Sequence, residues 1–382
     1  MNLSQNGSIV PKIPDYYKES LGLVITRLSF ETAIALAGVV GNILVCIVIA
    51  SKRLRGRASM HYYLLNLALA DIGVLTVIFP IAVVRERIPG YWPFGRIVCL
   101  YIYPFVDTFY GASIWFITSI AFQRYRKIVV KGKGIHGESS STRQIICNLL
   151  LIWLVSFLIA SFPLFFIFTY FEDTKNNKIH CWPAWEKAPH KSLSATYTVS
   201  LIVFSYVLPL AVISWTYVGI WREIRMSNLF HQSLDREAGG SSNNKIHKRL
   251  NENARAKKIL TPIVVTFAVT MLPVSVFRLL VVFWKPLPSI HHFWTFYNTM
   301  VIMTIANSAA NPIIYSVVSR EFRSAFIKLI LRREHSILSR LPSKSDAHTK
   351  VTNDKRKRSF NVATPFSPKT WPDAKQLKET VL

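Results

Sequence analysis

Apolar residues along this chain gather into seven runs separated by short polar stretches, at 29–50, 62–84, 100–122, 145–168, 193–221, 259–284 and 293–318. A helix crossing the bilayer core needs roughly 20 predominantly apolar residues, and each run is about that long. The pattern predicts an all-α membrane protein, a bundle of seven transmembrane helices. Residues 1–28 form a short tail, 29–318 the seven-helix domain and 333–382 a polar, basic, disordered tail. Between the last two, residues 319–332 place Phe322, Phe326 and Ile327 among Arg320, Arg323 and Lys328 at helical spacing. That reads as a short amphipathic helix on the membrane surface. No cysteine follows it, so palmitoyl anchoring there is excluded. The stretch near 227–253, with Gly239, Gly240, Ser241 and Ser242, reads as a flexible loop.

Composition agrees: 51% of the 382 residues are hydrophobic, and mean hydropathy is +0.29. A net charge of +26 would suggest nucleic acid in a soluble protein. Its distribution argues otherwise. Of 46 Lys and Arg, 34 fall in 51–60, 123–143, 222–258 and 319–382. These segments share one side if the N-terminus is outside, which the positive-inside rule favours. The excess is a topology signal, with added attraction to an anionic inner leaflet. No basic patch lies on a foldable soluble domain, so nucleic acid is not an expected partner. Residues 1–28 lack a signal-peptide core, and the first span is expected to direct its own insertion. Asn2 and Asn6 head glycosylation sequons in the outer tail. Cys99 and Cys181 both fall on the oxidising side, making them the natural disulfide pair; Cys46 and Cys147 lie in spans and read as small packed hydrophobes.

Polar residues and prolines interrupt the runs: Asn42, Asp71, Arg124, Pro209, Pro273, Asn311 and Pro312. An ionisable side chain at mid-membrane costs about 2.5–3.5 kcal/mol on insertion scales and persists with a partner or a function. Asn42, Ser113, Asn307 and Asn311 could satisfy Asp71. Asn307 and Asn311, four apart, share a helix face. Arg124 lies eleven residues after Ser113, about 16 Å along a helix and on nearly the same face.

In order and spacing these residues resemble the rhodopsin-like (class A) G-protein-coupled receptors across about residues 29–330. The carriers are Gly41-Asn42, Leu67-Ala68-Leu69-Ala70-Asp71, Trp92-Pro93-Phe94-Gly95 before Cys99, and Gln123-Arg124-Tyr125. Trp153, Pro209, Tyr217, Phe267 and Pro273 follow, and Asn311-Pro312-Ile313-Ile314-Tyr315 completes the set. The resemblance implies a plasma-membrane receptor with an extracellular N-terminus, not an enzyme, that turns ligand binding into activation of a heterotrimeric G protein. It implies an allosteric sodium ion held by Asp71, Ser113, Asn307 and Asn311; a water-filled network around a protonated Asp71 is the alternative. It assigns coupling and activation to Arg124, Tyr125, Tyr217, Phe267, Pro273, Asn311, Pro312 and Tyr315. Two positions depart from the family. Gln123 stands where an acid usually pairs with the arginine, which implies a weaker resting lock and raised basal signalling. Met271 stands where a tryptophan usually lies two residues before the proline, so a flexible thioether replaces a rigid ring.

The ligand is bounded by absence. Ile305 stands where an opsin needs its lysine. Val106 stands where amine receptors place a carboxylate, and neighbouring Asp107 is rotated by about 100°. The cavity offers Asp107, Tyr110, Arg278, Trp294 and Tyr297, with Arg85, Glu86 and Trp185 near its mouth. This mix of charge and aromatic surface suits a peptide, and Tyr103-Pro104-Phe105 with the pattern of span five looks like neuropeptide receptors. Asp107 and Arg278 either receive ligand groups or pair with each other. A lipid or amine ligand is the alternative, and a transporter or channel a more distant one; the absence of inverted repeats speaks against the latter. Thr380 and Leu382 resemble a PDZ-domain ligand. The basic run 355–359 and the tail Ser and Thr would serve kinases and arrestin.

Overall fold

The computed structural model describes residues 21–51, 60–88, 91–130, 141–173, 178–185, 192–237, 244–284, 286–287, 290, 293–318 and 322–327. Among them are seven helices long and apolar enough to cross a membrane: Val24–Ala50, Met60–Arg85, Gly95–Val130, Thr142–Phe166, Leu193–Ser227, Thr261–Phe283 and Thr295–Val317. They are spans one to seven below. Hydrocarbon offers no partner for a peptide group, so each backbone N–H and C=O is satisfied within its own helix. The seven helices form a bundle with span three at its centre, against spans two, four and five. Span one packs on two and seven, and span six on five and seven.

Large apolar side chains point out of the bundle, among them Leu150, Leu154, Val265 and Val269, while Asn42, Asp71, Ser113, Asn307 and Asn311 are buried. Apolar residues fill the remaining interior, including Tyr63, Leu67, Ile114, Phe116, Ile213, Phe267 and Met271. Ser141 begins span four with a capping box: its hydroxyl accepts from the Gln144 N–H at 3.3 Å, and the Gln144 side chain accepts from the Ser141 N–H at 3.1 Å. Trp153 Nε1 donates to Asn66 Oδ1 at 2.9 Å and ties span four to span two.

Of five wide π-type turns among the described residues, one, Arg126–Val130, has no proline after it; the other four are Val74–Ile78, Val98–Ile102, Phe157–Ser161 and Val203–Val207. Each ends two residues before a proline: Pro80, Pro104, Pro163 and Pro209. A proline ring cannot donate and crowds the carbonyl one turn back, so the preceding turn widens.

The helices outrun the apolar segments. The first begins at Leu21, eight residues ahead of position 29, and span three continues through Arg126–Val130 with Ile128 and Val129 buried. Spans five and six belong to helices Leu208–Glu237 and Asn244–Phe283. The expected flexible loop near 227–253 is therefore helical apart from 238–243, which lie outside the described residues. Apolar runs measure depth in lipid, whereas a helix satisfies its backbone in water as well.

A strand pair follows span four where no strand is expected. β1 (Phe168–Asp173) and β2 (Lys178–Pro183) pair antiparallel, with Tyr170 opposite Cys181. The available signal was two runs rich in Thr, aromatic and Ile residues on either side of Asn176-Asn177. Cys181 of β2 is bonded to Cys99 at the start of span three, with a Cα–Cα separation of 5.8 Å. The remaining cysteines differ from each other: Cys46 is half-buried as expected, whereas Cys147 is exposed on the outside of the bundle rather than packed. The Trp92 N–H donates to Ile179 O at 2.7 Å, and Trp92 Nε1 donates to Gly95 O at 2.9 Å. Gly95 has φ +78°, a left-handed turn that glycine adopts without strain. Beyond span seven, residues 322–327 are helical. Phe322 is buried, its ring 5.8 Å from that of Tyr315.

Candidate functional site: a polar axis through the bundle

Three groups of polar side chains lie along the axis of the bundle. The middle group centres on Asp71, which is fully buried. Ser113 Oγ donates to Asp71 Oδ1 at 2.6 Å, and Asn311 Nδ2 donates to Asp71 Oδ2 at 2.8 Å. Spans two, three and seven thus meet on one carboxylate. Ser308, absent from the sequence-derived set, also lies within reach of it. Asn307 turns to span six, its Oδ1 accepting from Thr270 Oγ1 at 3.4 Å. Asn42 binds backbone, donating to Gly38 O at 2.9 Å and to Ser308 O at 3.3 Å. This holds span one to span seven where Gly41 faces Pro312; a Cβ on Gly41 would lie 2.7 Å from Pro312 Cγ.

The second group lies toward the hairpin. Arg278 of span six sits over the ring of Tyr110 of span three, 5.0 Å from its centroid, and its Nη1 is buried without a hydrogen-bond partner among the described residues. Asp107 faces Arg278 electrostatically, but the two do not close a direct ion pair. Tyr110 then donates from its hydroxyl to Met271 Sδ at 3.1 Å. A continuous contact thus runs from Arg278 through Tyr110 to the fully buried Met271 beneath it. Val106, beside Asp107, is buried.

Arg85 donates to the Tyr103 hydroxyl and faces Tyr297. Tyr103 itself stacks on Trp92 at 5.6 Å and meets Phe168 of β1 edge-on at 5.0 Å. Trp185 contacts Tyr197 at 5.3 Å, on the side of spans four and five. Trp294 lies in span seven's helix, with its side chain outside the described residues. Sequence reasoning passed over Tyr103 and Tyr197 as site residues, since tyrosines in membrane helices are usually interfacial. It also passed over Glu31, a buried acid of span one that pairs with Arg27 at 3.3 Å. Its spacing of four from a basic residue was the available signal.

The third group lies at the opposite end. Gln123 Nε2 donates to the Tyr63 hydroxyl at 3.4 Å, beside Arg124. Tyr125 packs on Trp215 at 4.8 Å. The Tyr217 hydroxyl lies 3.2 Å from Thr261 Oγ1 and bridges spans five and six. Tyr315 is buried, its hydroxyl without a hydrogen-bond partner among the described residues. Phe267 is fully buried above this group, with Tyr206 at 6.1 Å. Asn2, Asn6, Thr380 and Leu382 lie outside the described residues.

Seven spans, a disulfide from span three to the hairpin and a buried polar axis together describe a seven-helix membrane protein. The pattern of the family described as 7 transmembrane receptor (rhodopsin family) matches residues 41–315, and the chain belongs to that family. Among its relatives, the human substance-P receptor is 28% identical over 332 residues, covering 85% of this chain and 75% of the relative. The rat galanin receptor type 1 is 30% identical over 341 residues, covering 85% and 89%. The pig neuropeptide Y receptor type 2 is 28% identical over 332 residues, covering 84% and 81%.

Proposed function

We propose that this protein is a plasma-membrane receptor, N-terminus outside, that binds an extracellular peptide at the hairpin end and activates a heterotrimeric G protein at the other. The observation carrying this reading is Arg278, whose buried Nη1 has no hydrogen-bond partner among the described residues although Asp107 is close by. A buried guanidinium donor left unsatisfied costs free energy. A ligand carboxylate or amide carbonyl would recover it, and a basic ligand group would meet Asp107. Peptides carry both kinds of group, and the relatives above are named for peptides. Tyr110 would pass ligand contact on to Met271, which takes the place of a rigid ring in contact with span six's proline-containing turn.

The middle group fits a small hard cation by donor chemistry. Asp71 is buried and contacted by the Ser113 hydroxyl and the Asn311 amide N–H, and reorientation of the Asn311 amide would add its oxygen to those of Asp71 and Ser113 around a cation. Asp71, Ser113 and Asn311 would hold sodium, with Asn307 joining by releasing Thr270. Bound sodium supplies the countercharge that a buried carboxylate needs. Arg124, Tyr125, Tyr217 and Tyr315 would form the output end, and the tail would take kinases, arrestin and a PDZ-domain protein.

The test is a peptide library applied to cells expressing the full chain, read as G-protein activation. An activating peptide whose potency falls at least tenfold in Arg278→Gln, with surface expression unchanged, supports the reading. Activation by lipids or amines but by no peptide would overturn it.

A further inference from the structure

Toward the hairpin, span three carries two tyrosines that each seat an arginine from a neighbouring span. Tyr103 and Tyr110 belong to one regular helix, Tyr103–Tyr125. Seven residues make nearly two full turns, so the two rings share a face and stand about 10 Å apart along the axis. Arg85 of span two donates to the Tyr103 hydroxyl and lies 5.7 Å from its ring centroid. Arg278 of span six lies 5.0 Å from the Tyr110 centroid and also faces Tyr103. Two guanidiniums therefore stand in two tiers over one face of span three. The seats are fixed from behind. Tyr103 is stacked on Trp92 and met edge-on by Phe168, and Tyr110 is hydrogen-bonded to Met271. The rise of the helix thus sets the separation of the tiers.

The tyrosines hold these cations without neutralising them. Among the described residues neither arginine closes an ion pair. Tyr103 occupies one of the five N–H donors of Arg85. The face of Tyr110 attracts Arg278 without consuming a donor, and Arg278 Nη1 is buried with no hydrogen-bond partner among the described residues. Asp107, between the two tyrosines on span three, faces Arg278. Arg85 is faced by the phenols of Tyr103 and Tyr297. Two cations against one carboxylate leave this end of the bundle with a positive charge to be met. A guanidinium presents a planar fork that matches a carboxylate with two parallel hydrogen bonds. An extended peptide advances about 3.3–3.6 Å per residue, so the gap between the tiers corresponds to about three residues.

We infer that the ligand is an acidic peptide that presents two carboxylates about three residues apart, the inner one to Arg278 and the outer one to Arg85, with a neutral or basic residue between them at Asp107. This rests on the peptide reading above and narrows it to a ligand chemistry. Acidic side chains and a free C-terminus supply the same group.

The experiment applies hexapeptide pools to cells expressing the full chain and reads G-protein activation. The pools carry two carboxylates three residues apart, one carboxylate or none, each with a free and with an amidated C-terminus; lipid and amine collections run beside them. The two-carboxylate pools should activate at concentrations at least tenfold lower than the rest, and the amidated pools tell whether the C-terminus supplies the inner group. In the most active peptide, changing the outer acid to its amide should lower potency at least tenfold on the wild type but less than threefold on Arg85→Gln. The inner acid and Arg278→Gln should behave likewise. Misfolding does not produce such pairwise coupling, and if a variant fails to reach the surface, the peptide changes on the wild type decide. Three results overturn the inference and leave the peptide reading standing: equal activation by neutral or basic peptides, acid-to-amide changes without effect on the wild type, or losses of the same size with and without each arginine. Activation by lipids or amines alone overturns both.

Discussion

The Gln123→Asp substitution places a carboxylate beside Arg124 at the end of span three where the neutral Gln123 now stands. The existing contact of Gln123 is a long 3.4 Å hydrogen bond to Tyr63, near the limit of a useful bond, so its loss costs little. The gain is an ion pair between two half-buried side chains. Coulomb's law gives about 4 kcal/mol for unit charges 4 Å apart at an effective dielectric of 20. Exposed pairs yield only about 0.2–1 kcal/mol once solvent screening and side-chain entropy are counted. A pair made in the resting state alone then favours that state by about 1 kcal/mol. That shifts a two-state equilibrium about five-fold toward rest, and basal output falls by the same factor if the active state is the minority. The assay is nucleotide exchange on purified G protein by ligand-free receptor in nanodiscs, normalised to folded receptor. Gln123→Asn controls for shortening the side chain. Basal exchange that is unchanged or raised in Gln123→Asp would refute the reasoning.

Four further outcomes are expected. Asp71→Asn should abolish the dependence of agonist affinity on sodium, measured by competition binding with sodium against a large organic cation; an unchanged sodium effect contradicts the ion site. Removing the Cys99–Cys181 link, which closes a separation of 82 residues, should destabilise the receptor by about 4.5 kcal/mol on the chain-entropy model, read as a lowered melting temperature of Cys99→Ala/Cys181→Ala. Gly41→Ala forces a Cβ to within 2.7 Å of the Pro312 ring, and separating spans one and seven should cost about 1–3 kcal/mol in thermal unfolding. His180 of β2 is buried, and burial holds its imidazole below the ordinary range, reinforced by Lys178 and opposed by Asp173. The unfolded chain then binds more protons, so stability falls as pH drops below about 6.5; the melting temperature should decline from pH 7 to pH 5, and His180→Phe should flatten that decline.

The sequence by itself named Cys99 and Cys181 as a pair from their shared oxidising side, and it determined seven spans, their order and four candidate partners for Asp71 (Asn42, Ser113, Asn307 and Asn311), of which Ser113 and Asn311 meet it. These follow from two local facts. Lipid excludes unpaired backbone groups, which makes every long apolar run a helix. It also rejects polar side chains, which turns them inward, where they find one another or free backbone carbonyls. Only the tertiary structure decided what depends on distance between helices. It left Asp107 and Arg278 unpaired although both lie at the same level. It sent Asn307 to Thr270 rather than to Asp71, and placed Tyr110 between Arg278 and Met271. The hairpin and the helical extensions to Glu237 and from Asn244 were likewise beyond the apolar pattern. Hydropathy records whether a residue tolerates lipid; it does not record where one helix ends, which way its side chains reach, or how closely it approaches the next.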